Sequence, residues 1–91
     1  FRGRAMPRIS EFFGITIAMY YNDHAPPHFH VKYAEHEATL AIRTLELLSG
    51  TLPNRALGLV LEWAALHRSE LRANWEAARR GDPLHRIAGL E

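Results

Sequence analysis

The run Ile15-Thr16-Ile17-Ala18-Met19-Tyr20-Tyr21, then Asn22-Asp23-His24-Ala25-Pro26-Pro27, then His28-Phe29-His30-Val31-Lys32-Tyr33 decides the fold. Its first seven residues set Ile15, Ile17, Met19 and Tyr21 against Thr16, Ala18 and Tyr20. A period of two in β-branched and aromatic residues predicts a half-buried strand. Two prolines, which cannot donate to a sheet ladder, and an Asn-Asp pair make the next six residues a turn. A second strand then runs from His28 to Tyr33. So short a connection predicts antiparallel pairing, because parallel strands need crossovers of a dozen residues or more.

Working outward, Arg8 to Phe13 is expected to be extended, with Gly14 marking a break. After a turn at Ala34 to His36, Glu37 to Arg43 gives a further strand, and Glu46 to Leu48 a short one ending at Gly50. Beyond Pro53 the period becomes helical. Leu57, Val60, Ala64, His67, Leu71, Asn74 and Ala78 recur at spacings of three and four. Pro53 suits a helix start, and Arg79-Arg80-Gly81 suits a close with cations and a left-handed cap. The expected fold class is α+β: an antiparallel sheet of three to four strands in the N-terminal half. It packs on one long C-terminal helix or a bent helix pair, with Trp63 and Trp75 on the flanks. Residues 6–91 read as a single α+β domain, and residues 1–5, before Met6-Pro7, as an expression remnant or upstream extension. The tail from Asp82 reads as irregular, with Leu84, Ile87 and Leu90 able to dock.

The chain has 91 residues, of which 47% are hydrophobic and 23% charged, the balance of an ordinary globular domain rather than a disordered one. With no cysteine, disulfides, thiolate zinc sites and cysteine nucleophiles are excluded. No apolar run is long enough to span a bilayer, and a cytoplasmic location is expected. A net charge of +1 is uninformative about partners, since proteins that neutralise many phosphates usually carry a larger, clustered excess of Lys and Arg. Arg2, Arg4 and Arg8, with Arg79, Arg80 and Arg86, are better read as solvated ends than as a nucleic-acid patch. No G-x-G-x-x-G, P-loop, G-x-S-x-G or H-E-x-x-H is present.

What remains distinctive is histidine: six in the chain, four of them between His24 and His36. On a strand, His28 and His30 share a face and Phe29 and Val31 take the other. Such a pair can offer two imidazoles to one divalent ion such as zinc, with a third ligand from Asp23, His24 or elsewhere in the fold. On the helical wheel His67 falls in the apolar stripe, so it is expected to face the sheet. Were the helix to cover the face of His28 and His30, three imidazoles would converge, with Glu70 and Asn74 beside them. Were it to cover the other face, the cluster would lose His67 and a structural role would lead. The metal reading therefore takes His24, His28, His30 and His67. A catalytic reading takes His28, His30 and His67 as acid and base, with Asp23, Tyr33 and Arg43 in support and Lys32 and Arg55 nearby. In the bland reading these histidines are hydrogen-bonded core and turn residues. Glu35-His36-Glu37 is a solvated hairpin tip, and His85 has no partner by spacing.

The segments Pro7 to Ile15, Met19 to Val31, Leu52 to Leu57, Glu62 to His67 and Asn74-Trp75 resemble the family called domain of unknown function 4160. Leu45 departs from it, since the family's turn there usually carries glycine. The resemblance implies one component of a two-protein module, proposed as toxin–antitoxin, with a small cognate partner protein encoded nearby. It thus implies a toxin-like role, and action on RNA through the histidine cluster is the first reading of that role. A metal-binding or regulatory module, or a structural interaction domain that could self-associate, are the other readings.

Overall fold

The computed structural model describes residues 6–91. The reading of residues 1–5, and of Arg2 and Arg4, lies outside them. Five strands form one antiparallel meander in chain order: β1 Arg8–Phe12, β2 Ile15–Ala18, β3 His28–Tyr33, β4 His36–Ala41 and β5 Leu47–Gly50. Two helices follow, α1 Asn54–Leu66 and α2 Arg68–Arg80. The α+β class and the antiparallel sheet stand as expected. The count of three to four strands is corrected to five, because Arg8–Phe12 is not merely extended but pairs with β2.

Alternation along the strands sorts side chains between two faces. Ile15, Ile17, Phe29, Val31, Ala38 and Leu40 form the inner face and are buried. Thr16, Ala18, His30, Lys32, Glu37 and Thr39 take the outer face. Both helices supply the inner face's cover. Trp63 of α1, fully buried, lies 5.3 Å from the Phe12 ring and 6.1 Å from that of Phe29, measured between ring centroids. Trp63 and Trp75 are therefore core residues rather than the flanking bulk the wheel suggests.

The single long helix is likewise corrected to two of 13 residues each. His67 breaks it, with φ −122° and ψ 26°, ending α1 and preceding the first residue of α2. Hydrogen bonding carries across the break, since Leu71 N–H donates to the His67 carbonyl at 2.9 Å. Glu70, three residues into the new helix, receives the His67 ring nitrogen Nδ1 on its carboxylate. The contact is between side chains only; the His67 N–H itself bonds the Trp63 and Ala64 carbonyls. Gly81 closes α2 in the left-handed conformation, as its sequence position predicts.

Two turns carry strain. Phe13 and Gly14 join β1 to β2, both with positive φ, 50° and 78°, as a two-residue turn of the primed type demands. Glycine adopts this freely and phenylalanine does not. Phe13 is also 58% exposed, so its ring contributes little burial in return. Phe13→Asn is therefore expected to stabilise the domain by about 1 kcal/mol, raising the melting temperature by roughly 5 °C. Thermal unfolding followed by circular dichroism checks this, and an unchanged or lower midpoint contradicts it. In the β4–β5 connection, Leu45 has φ 63°. That is the conformation a glycine at this position would serve, and here leucine holds it while packing partly against the core.

The tail is docked by polar bonds as well as by Ile87, which is buried. Ile87 N–H donates to the Ile9 carbonyl at 2.7 Å, and the Trp63 indole N–H to the Ala88 carbonyl at 2.8 Å. Asn74, buried on α2, both accepts from the His85 N–H and donates to the His85 carbonyl.

Candidate functional site

The turn between β2 and β3 folds back over the first residues of β3. It is fastened to the end of α2 by Asn22 N–H, which donates to the Ala78 carbonyl at 3.2 Å. Asn22 takes a positive φ of 55°, which asparagine tolerates well, and the Ala25–Pro26 peptide is cis. Asp23 in this turn lies over the two histidines that alternation puts on one face of β3. His28 Nε2 lies 3.0 Å from Asp23 Oδ2 and His30 Nε2 lies 3.2 Å from the same oxygen. The carboxyl is 2% exposed, the His28 side chain 5% and the His30 side chain 25%, so the cluster opens to solvent mainly past His30.

The other nitrogen of His28 is fixed as well. Nδ1 lies 2.7 Å from the Pro26 carbonyl, which can only accept, so Nδ1 carries a proton. Nε2 is then directed at Asp23, either as a donor or, with its proton absent, as a lone pair. Packing holds the ring in place: its centroid lies 5.2 Å from Trp75 and 5.1 Å from His30. The His30 ring meets Tyr20 edge-on at 4.7 Å.

Burial works against ionisation of Asp23, but hydrogen bonds outweigh it. The His30 ring and the His24 backbone N–H donate to the carboxylate, and the charge and hydrogen bond of His28 add to them. The result is a pKa lowered from 3.8 to about 2. Asp23 is thus an anion at any physiological pH, with one oxygen aimed at two imidazoles.

Of the residues singled out from sequence, the structure brings together Asp23, His28 and His30, whose ligand atoms all lie within 4.8 Å of one another. His24 sits at the rim. Its side chain is 81% exposed, and its Nδ1 lies 2.9 Å from Asp23 Oδ1, the oxygen turned away from the other two rings. His67 is not brought in: it stacks on Trp63 at 5.5 Å and bonds Glu70, on the helix side of the sheet. The helices cover the Phe29 face, the arrangement under which the sequence alone favours a structural role for the histidines, but Asp23 takes the place expected of His67 and keeps three possible ligands together. Tyr33 packs partly against the core, and Arg43 is exposed in the β4–β5 connection. His36 approaches Glu35 at 3.8 Å at the hairpin tip.

The outer face of the sheet bordering His30 forms an open groove of about 600 Å³. Cross-strand register aligns Arg8, Ala18, His30, Thr39 and Ser49 in one row, with Thr16, Lys32 and Glu37 in the next. Spacing in the sequence could not find this groove, since it depends on how five separate strands register.

A small α+β domain, then, built as a five-stranded meander under two helices, carries an Asp-His-His cluster opening on the uncovered sheet face. Residues 14–76 match the family described as Domain of unknown function (DUF4160), and the chain belongs to that family. Comparison with curated proteins and with solved structures gives no match. No helix among the described residues is long and apolar enough to cross a membrane.

Proposed function

We propose that this domain binds a divalent transition metal, zinc or a similar ion, through Asp23 Oδ2, His28 Nε2 and His30 Nε2, and presents it to the open sheet face. The observation that carries the reading is the convergence of both Nε2 atoms on one carboxylate oxygen at 3.0 and 3.2 Å. Neighbouring ligands around a tetrahedral zinc with bonds of about 2.0–2.1 Å are themselves roughly 3.3 Å apart. Two imidazoles and a carboxylate suit divalent transition metals and leave positions for water or substrate. The bond from His28 Nδ1 to the Pro26 carbonyl is the supporting contact that orients a ligating imidazole. A metal held there would lower the pKa of bound water and supply a nucleophile or a Lewis acid. The toxin-like action on RNA read from the sequence remains part of this proposal only as a use of these same three side chains.

A second reading is favoured by the burial of His28 with both ring nitrogens facing acceptors: the cluster pins the turn to β3 with no ion. Metal analysis of untagged protein after exposure to equimolar Zn²⁺ and gel filtration separates them. The metal reading expects near-stoichiometric zinc in the wild type and in His67→Ala, and loss of zinc in His30→Ala while the fold persists. A folded wild type that retains no zinc, with His28→Ala and His30→Ala merely melting earlier, overturns it in favour of the structural reading.

A further inference from the structure

The row Arg8, Ala18, His30, Thr39 and Ser49 crosses all five strands on the face the helices leave open. At strand spacings of about 4.8 Å, Arg8 and His30 stand roughly 10 Å apart, with Ala18, itself 3% exposed, between them and the Tyr20 ring beside it against His30. Lys32 lies two residues beyond His30 on the same side of β3 and also lines the groove. The corner between Arg8, His30 and Lys32 has Ala18 at its base, the Tyr20 ring on one side, and walls that are cationic or hydrogen-bonding apart from Glu37. At the far end the Thr39 and Ser49 hydroxyls bond each other at 2.7 Å.

From this arrangement we infer that the groove binds a nucleoside phosphate, its phosphate over Ala18 between Arg8, Lys32 and the cluster, and its sugar toward Thr39 and Ser49. The inference rests on the metal reading for part of its charge. A divalent ion held by one carboxylate and two neutral imidazoles keeps a net charge of +1 beside His30. Arg8 and Lys32 contribute two further cations. Each is paired with an exposed carboxylate, Arg8 with Glu11 at 3.0 Å and Lys32 with Glu37 at 3.2 Å. Exposed pairs of this kind contribute little, so both cations can turn to a phosphate at small expense. Arginine in particular meets phosphate with two parallel N–H donors. A groove of about 600 Å³ falls within the range of small-molecule sites and has room for one nucleotide.

Heteronuclear NMR titration of zinc-loaded protein with adenosine monophosphate tests this, with adenosine as the phosphate-free control and a four-nucleotide RNA as a third arm. Expected are shifts at Ala18, His30, Lys32 and Thr39 with helix signals unmoved, and affinity for the monophosphate at least tenfold above adenosine. Lys32→Ala and Ala18→Leu should each weaken it at least tenfold with bound zinc unchanged, and Lys32, being exposed, is replaceable without disturbing the core. Tighter binding of the oligonucleotide than of the monophosphate identifies a strand as the source of the nucleotide, and equal binding a free nucleotide. Zinc bound but no shifts at millimolar monophosphate overturns the groove assignment alone. A wild type that takes no zinc overturns the metal reading itself.

Discussion

Asn74→Ala is expected to destabilise the domain by about 3 kcal/mol and to lower its melting temperature by roughly 15 °C. The side chain is 1% exposed and acts as a surrogate backbone for the tail. Its Oδ1 accepts from His85 N–H at 2.9 Å and its Nδ2 donates to the His85 carbonyl at 2.8 Å. Alanine removes both partners together, leaving a backbone donor and acceptor to find water in a site shaped against it. The tail then lifts, and with it the cover over Trp63, whose indole N–H bonds the Ala88 carbonyl. Urea denaturation gives the free energy. Tryptophan emission should shift to the red in the folded variant, and the Ile87 amide, bonded to Ile9, should exchange faster than in the wild type. A variant with wild-type stability and a protected Ile87 amide contradicts this role for Asn74.

That role is not legible from the sequence, although the burial of Asn74 is. A polar residue in an apolar helical stripe announces that it is buried and bonded, and the same stripe contains His67, so the pair reads as parts of one site. Only the docked tail shows that Asn74 faces backbone. His67 does lie on the core side of the helices, against Trp63, as the wheel has it. What the wheel cannot show is that the helices cover the Phe29 face, away from His28 and His30.

The strand pair at the centre of the site is far easier to read. The alternation from Ile15 and the prolines before His28 place β3 at its observed ends and put His28 and His30 on one face. The third member cannot be chosen from spacing alone. Asp23 and His24 are neighbours in a turn containing two prolines. Which of them points inward depends on the turn's backbone, fastened to α2 through Asn22 and Ala78. The groove lies further still from the sequence, because alignment of Arg8 with Ser49 is a property of four strand pairings at once.

The Asp23 carboxylate makes a second large effect, and its sign with pH is fixed by the direction of its shift. Folding lowers its pKa from 3.8 to about 2. The folded state therefore binds the proton less readily than the unfolded chain. The stabilisation is fully present above pH 4 and is lost as pH falls from there through 2. At 1.36 kcal/mol per unit it amounts to about 2 kcal/mol. With the carboxyl 2% exposed, solvent screening removes little of it. Metal-free Asp23→Asn should accordingly unfold about 2 kcal/mol more easily than the wild type at pH 6. The two urea midpoints should converge as the pH is lowered to 2, with most of the convergence below pH 4. Curves that stay parallel over this range would show that Asp23 contributes through the shape of its turn rather than through its charge. Asp23 would still be ionised at neutral pH in that case, so the result bears on what its charge does for the fold and leaves its place as an anionic ligand intact.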